Sequence, residues 1–295
     1  MTGTLLKSMR LPFLALTPAC VFLGASSAVP TQPEIDTRLL LLVLLGALLA
    51  HISVNTLNEY ADFRSGLDLK TRRTAFSGGS GALPRHPELA TAVLALGISS
   101  LVGTALIGIL LAWNHSAAIV PLGLAGLALI VGYTQWINRR PFLCLIAPGL
   151  GFGLLMVAGT HFALTGEYSA FSWLVGVVPF LVFNNLLLLN QFPDLDADRE
   201  AGRNNLVIAY GTKTGAWVYA AFAMLAIAAL IVFVAVGLLP VLSLVVLLPM
   251  PLALLALRGA FRHGENIGDY PHYLGANVSV ALLTPILLGA SILLG

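Results

Sequence analysis

RLLLLVLLGALLAHISVNTLNEYADFRSGLD, residues 38–68, runs from unbroken hydrocarbon into a cluster of amides and acids. Its apolar part, 38–60, is long enough to cross a bilayer, which takes about 20 apolar residues as a helix. Asn55, Asn58 and Asp62 then recur at i, i+3, i+7, so one helical stripe carries all three. Gly66 is read as the end of that helix, a residue tolerant of the backbone reversal that folds Asp68 back toward the stripe. A membrane helix with a polar pocket at its end is therefore the unit from which the rest of the chain is read.

The whole sequence repeats that character. Hydrophobic residues make up 58% and charged residues 9% of the 295 positions, where a soluble domain carries roughly a quarter charged. Mean hydropathy is +0.92. Apolar runs of near-spanning length lie at 11–30, 38–60, 90–113, 117–137, 141–165, 171–192, 215–238, 239–257 and 272–294. The boundary at Leu239 and Pro240 has almost no polar residue, so one bent span is the alternative there. Backbone groups have no partners in hydrocarbon, and the ten-residue alternation of a membrane barrel is absent, so these runs are predicted helices. The fold class is an all-α membrane protein in one domain, 1–295, with about nine transmembrane helices.

Charge sets the orientation. With Lys7 and Arg10 cytoplasmic and nine spans following, one set of loops collects Arg64, Lys70, Arg72, Arg73, Arg85, Arg139, Arg140, Arg199, Arg203, Lys213, Arg258 and Arg262. The other set holds only Arg38. Positive residues stay inside, so the basic loops are expected in the cytoplasm, in a bacterial inner membrane. Lys7, Arg10, an apolar core and GASSAV (24–29) also fit a secretory signal peptide, and topology alone does not separate the two readings. Cys20 and Cys144 fall inside apolar runs and read as buried thiols.

A second cluster, NQFPDLDADREAGRNNLVIAYG (190–211), ends the sixth run as the first ends the second. The spacing is four helices, which predicts two four-helix halves plus a final helix around a central cavity, with the ends of spans two and six brought together. Asn190, Asp194 and Asp198 stand four apart, on one face if the helix continues through them, and Pro193 is a place where it can kink or restart. Two such sets of oxygens on one side of the membrane suit hard divalent cations and, through them, a diphosphate. Lys70, Arg72, Arg73 and Arg203 are the basic candidates for phosphate oxygens, although cytoplasmic loops are basic for topological reasons as well. Tyr133, at the cytoplasmic end of the fourth span, offers a ring face to a developing cation or serves as an interface anchor. SGGSGALP (77–84) lacks the spacing of a phosphate-binding Walker loop and reads as a lid or a plain loop. His51 and His161 read as hydrogen-bonded packing residues. A cation-coupled transporter would also use intramembrane carboxylates, but nearer mid-membrane.

NEYADFRSGLD (58–68) and the 190–211 stretch resemble the two aspartate-rich motifs of the UbiA-type intramembrane prenyltransferases, in order and about four helices apart. LPFLALTPACVFLG (11–24) and GYTQWINRR (132–140) resemble that superfamily too, so the likeness covers the chain and favours a retained first span. The five residues between Asp62 and Asp68, followed by GGSG, are most similar to the 1,4-dihydroxy-2-naphthoate branch of menaquinone synthesis. The resemblance implies prenyl transfer from an isoprenyl diphosphate to an aromatic acceptor. It implies Mg2+ held by Asp62, Asp68, Asp194 and Asp198. Asn55, Asn58, Asn190, Lys70, Arg72, Arg203 and Tyr133 are the substrate-binding set. Beyond the lipid bilayer and these substrates no nucleic-acid partner is expected. Pro193 and Arg203 stand where that branch usually has Arg and Lys, and Phe152 where an acid is common; these bear on the acceptor, with 4-hydroxybenzoate, another aromatic or a non-aromatic lipid as alternatives.

Overall fold

The computed structural model describes residues 1–295 except 72 and 75, so Arg72 lies outside the described residues. Among the described residues nine helical segments are long and apolar enough to cross a membrane. They are α1 Leu11–Ala28, α2 Thr37–Arg64, α3 Pro87–Asn114, α4 Ala117–Gln135, α5 Pro141–Thr165, α6 Ala170–Asn190, α7 Leu206–Ala235, α8 Val241–Asp269 and α9 Pro271–Leu294. The boundary at Leu239 and Pro240 separates two spans. Gly237 takes a left-handed turn (φ 73°), and Pro240, extended at ψ 152°, cannot continue α7. The seventh span starts earlier than its hydropathy suggests, at Leu206, and is bent at Gly211 (φ 83°).

Sequence explains where the helices begin. Asp36 caps α2 by accepting from the backbone N–H of Arg38 and Leu39, and Ser169 caps α6 at the N–H of Phe171. At the other end of α6 the chain turns through Gln191–Pro193 and opens the short helix Leu195–Glu200. Asn190, Asp194 and Asp198 are therefore not on one continuous helix. Pro193 has no N–H for the i−4 bond, and the break it imposes sets Asp194 at the start of a new helix.

The helices close into a ring. α2 packs on α3, α6 on α7, and α1 on α9 and the last turns of α5. Leu16, Cys20 and Leu23 of α1 sit in the main core with Val175, Val178 and Val182 of α6 and Val280 of α9. The first segment thus packs as a span. Glycine allows α5 and α6 to approach closely: a Cβ at Gly153 would stand 2.4 Å from the Phe180 backbone N, and one at Gly176 would stand 2.4 Å from the Gly153 carbonyl oxygen. Within α5, Gly149–Met156 is a π-helix. Pro148 just before it lacks an N–H, and the N–H of Gly149 turns aside to Asn184 Oδ1 at 2.8 Å.

Large apolar side chains cover the outside, among them Trp113, Leu124, Val236 and Leu248. Their exposure is what a lipid-facing surface requires, and it would be an aggregation hazard in water. Between α2, α3, α4 and α5 this surface opens into an apolar groove of about 600 Å³, bordered by Gly46, Ala50, Gly108, Gly126 and Gly151. A Cβ on Gly108 or Gly126 would meet nothing within 4 Å.

Candidate active site

The ends of α2 and α6 meet over one cleft, as the repeat predicts. Asn55, Asn58 and Asp62 line it from α2, Asp68 from the short helix Leu67–Lys70, and Asn190, Asp194, Asp198 and Arg203 from the opposite half. Gly66 (φ 78°) makes the reversal that returns Asp68. The loop after it closes one wall: the N–H of Gly78 donates to Asp194 Oδ2 at 3.0 Å, and Gly79 lies against the Asp68 carboxylate, where a Cβ would stand 2.5 Å from Oδ1.

Arg203 joins the halves. It donates to Asp198 Oδ1 at 2.9 Å and to Asp62 Oδ1, across 141 positions of chain. The sequence reading sent Arg203 to phosphate oxygens. In the structure it lies between two buried carboxylates, because one guanidinium fork satisfies both. Asn58 Nδ2 donates to Asp62 Oδ2 at 2.7 Å, and Asn205 Nδ2 to Asp198 Oδ2 at 3.2 Å. Asp62 and Asp198 are thus fully engaged.

Other oxygens are not. Among the described residues, Asn58 Oδ1, Asp68 Oδ2, Asn190 Oδ1 and Asp194 Oδ1 are buried with no hydrogen-bond partner. Buried acceptors without donors are rare and costly. Burial pushes the Asp68 carboxyl up to about 7, helped by the charges of Glu59 and Asp62. Burial likewise raises Asp194 to about 7, with Asp198 adding to it, and lifts Asp198 to about 6 against the pull of Arg203. Asp68 and Asp194 each keep a buried oxygen with no donor among the described residues, whereas Asp198 is paired with Arg203. Two amide and two carboxylate oxygens, contributed by both halves, fit hard cations such as Mg2+. Among the described residues no three His, Cys, Asp or Glu side chains close on one point.

The other expected residues divide. Tyr133 lines the cleft. Asn55 lines it as well, but its Nδ2 donates to the Met9 carbonyl at 2.9 Å and so ties down the N-terminal segment. Lys70 pairs with Glu200 at 2.8 Å on the exposed rim, away from the cleft wall. Arg73 donates to the Asp68 carbonyl oxygen.

Two charged groups belong to the site although the sequence reading did not place them there: Glu59, which it passed over, and Arg10, which it used only for topology and the signal-peptide reading. Glu59 is fully buried one residue after Asn58, off the stripe, and accepts from the backbone N–H (3.0 Å) and hydroxyl of Ser80. Arg10, in a left-handed conformation at φ 55°, reaches Glu59 at 3.8 Å and also lines the cleft. A third carboxylate in the first motif, beside a glycine-rich loop in need of an anchor, was the available signal. Deeper in, the cleft turns apolar, with Leu16, Leu186, Phe152 and Phe183. Phe152 stacks on Phe183 with ring centroids 5.1 Å apart.

Residues 15–273 match the model of the UbiA prenyltransferase family. The chain is 28% identical to 1,4-dihydroxy-2-naphthoate octaprenyltransferase of Escherichia coli (strain K12), over 97% of this chain and 94% of the relative. It is 30% identical to the enzyme of that name from Bacillus subtilis (strain 168), over 61% of this chain and 57% of the relative. Among solved structures, the apo form of a UbiA homolog from Aeropyrum pernix K1 superposes with a TM-score of 0.73 at 18% identity, covering 96% of this chain and 98% of that one. A UbiA homolog from Archaeoglobus fulgidus bound to DMAPP and Mg2+ gives 0.68 at 14% identity, covering 98% and 99%.

Proposed function

The chain belongs to the UbiA prenyltransferase family, and we propose that it transfers an isoprenyl group from an isoprenyl diphosphate to an aromatic acceptor of the 1,4-dihydroxy-2-naphthoate type, with Mg2+. The observation that carries this is the set of unpartnered oxygens of Asn58, Asp68, Asn190 and Asp194, contributed by two halves to a cleft that is ionic at one end and aromatic at the other. The relatives' names and the Mg2+ and DMAPP of the Archaeoglobus protein support the same chemistry. The charge asymmetry of the loops supports a cytoplasmic mouth in a bacterial inner membrane. The whole chain, 1–295, acts as one domain.

In this reading Asp68 and Asp194, with Asn58 and Asn190, would hold the cation at the diphosphate end of the cleft. When bound there, Mg2+ would supply positive charge that favours a departing diphosphate. Arg203 bridges Asp62 and Asp198 and fixes the spacing of the two halves, and Arg10 adds charge near the same end. The allylic carbon–oxygen bond breaks, its electron pair leaving with the diphosphate. The ring faces of Tyr133 and Phe152 then face an allylic cation in a site from which apolar helices exclude water. The electron-rich ring forms the new carbon–carbon bond. For a carboxylated ring carbon, loss of CO2 returns the electron pair that restores aromaticity. The isoprenoid tail stays in hydrocarbon, along the apolar surface and groove.

The test uses protein reconstituted in liposomes with geranyl diphosphate and 1,4-dihydroxy-2-naphthoate. Product should form only with Mg2+. Asp68→Ala and Asp194→Ala are each expected to lower the rate by at least about 100-fold, the scale of losing one electrostatic stabiliser, with helix content unchanged. Undiminished turnover in either variant would falsify the cation assignment.

A further inference from the structure

His51 lies on α2, two turns deeper than Asn58, which is about 10 Å along the helix axis. It is buried, yet it lines the cleft. Its Nδ1 is 2.8 Å from Thr17 Oγ1 of α1. Thr17 is fully buried, and this is its side chain's one hydrogen bond among the described residues. A buried hydroxyl without an acceptor is costly, so Thr17 donates to Nδ1, and the ring proton sits on Nε2. Nε2 has no hydrogen-bond partner among the described residues. Phe152 packs against the ring with centroids 4.7 Å apart and planes at 72°, and Phe183 backs Phe152. The imidazole is held on two sides, with one N–H left for whatever enters the cleft.

That N–H needs an acceptor atom. A prenyl donor anchored at Asn58, Asp68, Asn190 and Asp194 has only hydrocarbon at the depth of His51, and hydrocarbon accepts no hydrogen bond. The ligand with oxygens remote from the diphosphate is the aromatic acceptor. Resting on the prenyl-transfer reading above, we propose that His51 binds the acceptor by donating Nε2–H to one of its ring oxygens, with Thr17 fixing the tautomer and Phe152 the ring plane. The π-helical stretch of α5 has a use here, since it carries Phe152 into the cleft while its neighbour Gly151 borders the outer groove.

The experiment separates the two substrates. In the liposome assay His51→Leu should raise KM for 1,4-dihydroxy-2-naphthoate about tenfold, the scale of one hydrogen bond, and leave KM for geranyl diphosphate within about twofold. His51→Gln, which keeps an N–H donor, should recover most of that loss. Thr17→Val leaves the ring in place and frees its tautomer, so a smaller rise of the same kind is expected; it carries the test alone if His51→Leu does not fold, judged by thermal midpoint in detergent. Competition by 1-hydroxy-2-naphthoate, 4-hydroxy-2-naphthoate and 1,4-dihydroxynaphthalene then locates the oxygen. The one analogue that binds wild type poorly should show no further penalty in His51→Leu. Equal rises in both KM values, or no change in either, overturn the His51 assignment in an enzyme that still turns over. Absence of wild-type transfer to any aromatic acceptor overturns the functional reading itself, and with it this one.

Discussion

Asp68, Asp194 and Asp198 carry opposite consequences for stability and for cation binding. Their folded carboxyls titrate at about 7, 7 and 6 against an ordinary 3.8, chiefly because they are buried. Between those limits the folded protein binds more protons than the unfolded chain, so stability falls as pH rises. The destabilisation is absent below about pH 4 and complete above about pH 7. Metal-free protein should therefore gain thermal midpoint on acidification from pH 8 to 5.5, while Mg2+-dependent transfer declines over the same range as protons compete for the oxygens. Adding Mg2+ should raise the midpoint at pH 8 and do little at pH 5.5. A midpoint that falls on acidification would contradict the burial of these carboxylates. The sequence made these acids visible because charge is scarce around them. It did not show that Arg203 bridges Asp62 and Asp198, since a contact spanning 141 positions depends on how the two halves dock. Nor did it show Arg10 with Glu59, where the arginine depends on a left-handed backbone at its own position.

At the level of elements, hydropathy located seven spans to within a few residues; α7 begins at Leu206 and α8 runs on to Asp269, well outside the apolar runs 215–238 and 239–257, because those ends carry polar residues. The π-helix of α5 left no periodic signal, because Gly149–Met156 is apolar on every face. Its glycines were the readable trace. Gly153→Ala places a Cβ 2.5 Å from the Phe180 Cα, against backbone that cannot swing away. The variant should lose about 1–3 kcal/mol, the usual range for overpacking, seen as a lowered thermal midpoint in detergent. Gly126→Ala meets open space and serves as the control with little expected change. Likewise the continuous stripe expected for Asn190, Asp194 and Asp198 failed at Pro193, and the cleft still gathers all three because the chain turns only briefly before a helix resumes.

For the whole molecule, the four-helix period and the one-sided distribution of basic residues were enough to bring both motifs to one cleft. The orientation is open to direct measurement. Both native cysteines are buried, so background labelling should be low. Cysteines introduced at Glu200 and at Ser116, both outside the spans, should react with a membrane-impermeant maleimide from opposite sides of sealed vesicles. Reaction of both from one side would remove the nine-span topology.

The groove among α2, α3, α4 and α5 is lined mostly by apolar residues and lies on the same exposed apolar surface as Leu124 and Trp113. On the proposed function, a long-chain donor and its product are solutes of a two-dimensional solvent, and neither has a bulk concentration that the protein senses. The rate then follows the mole fraction of donor among the lipids, and diluting the same donor with empty lipid slows the enzyme even though nothing in the aqueous phase has changed.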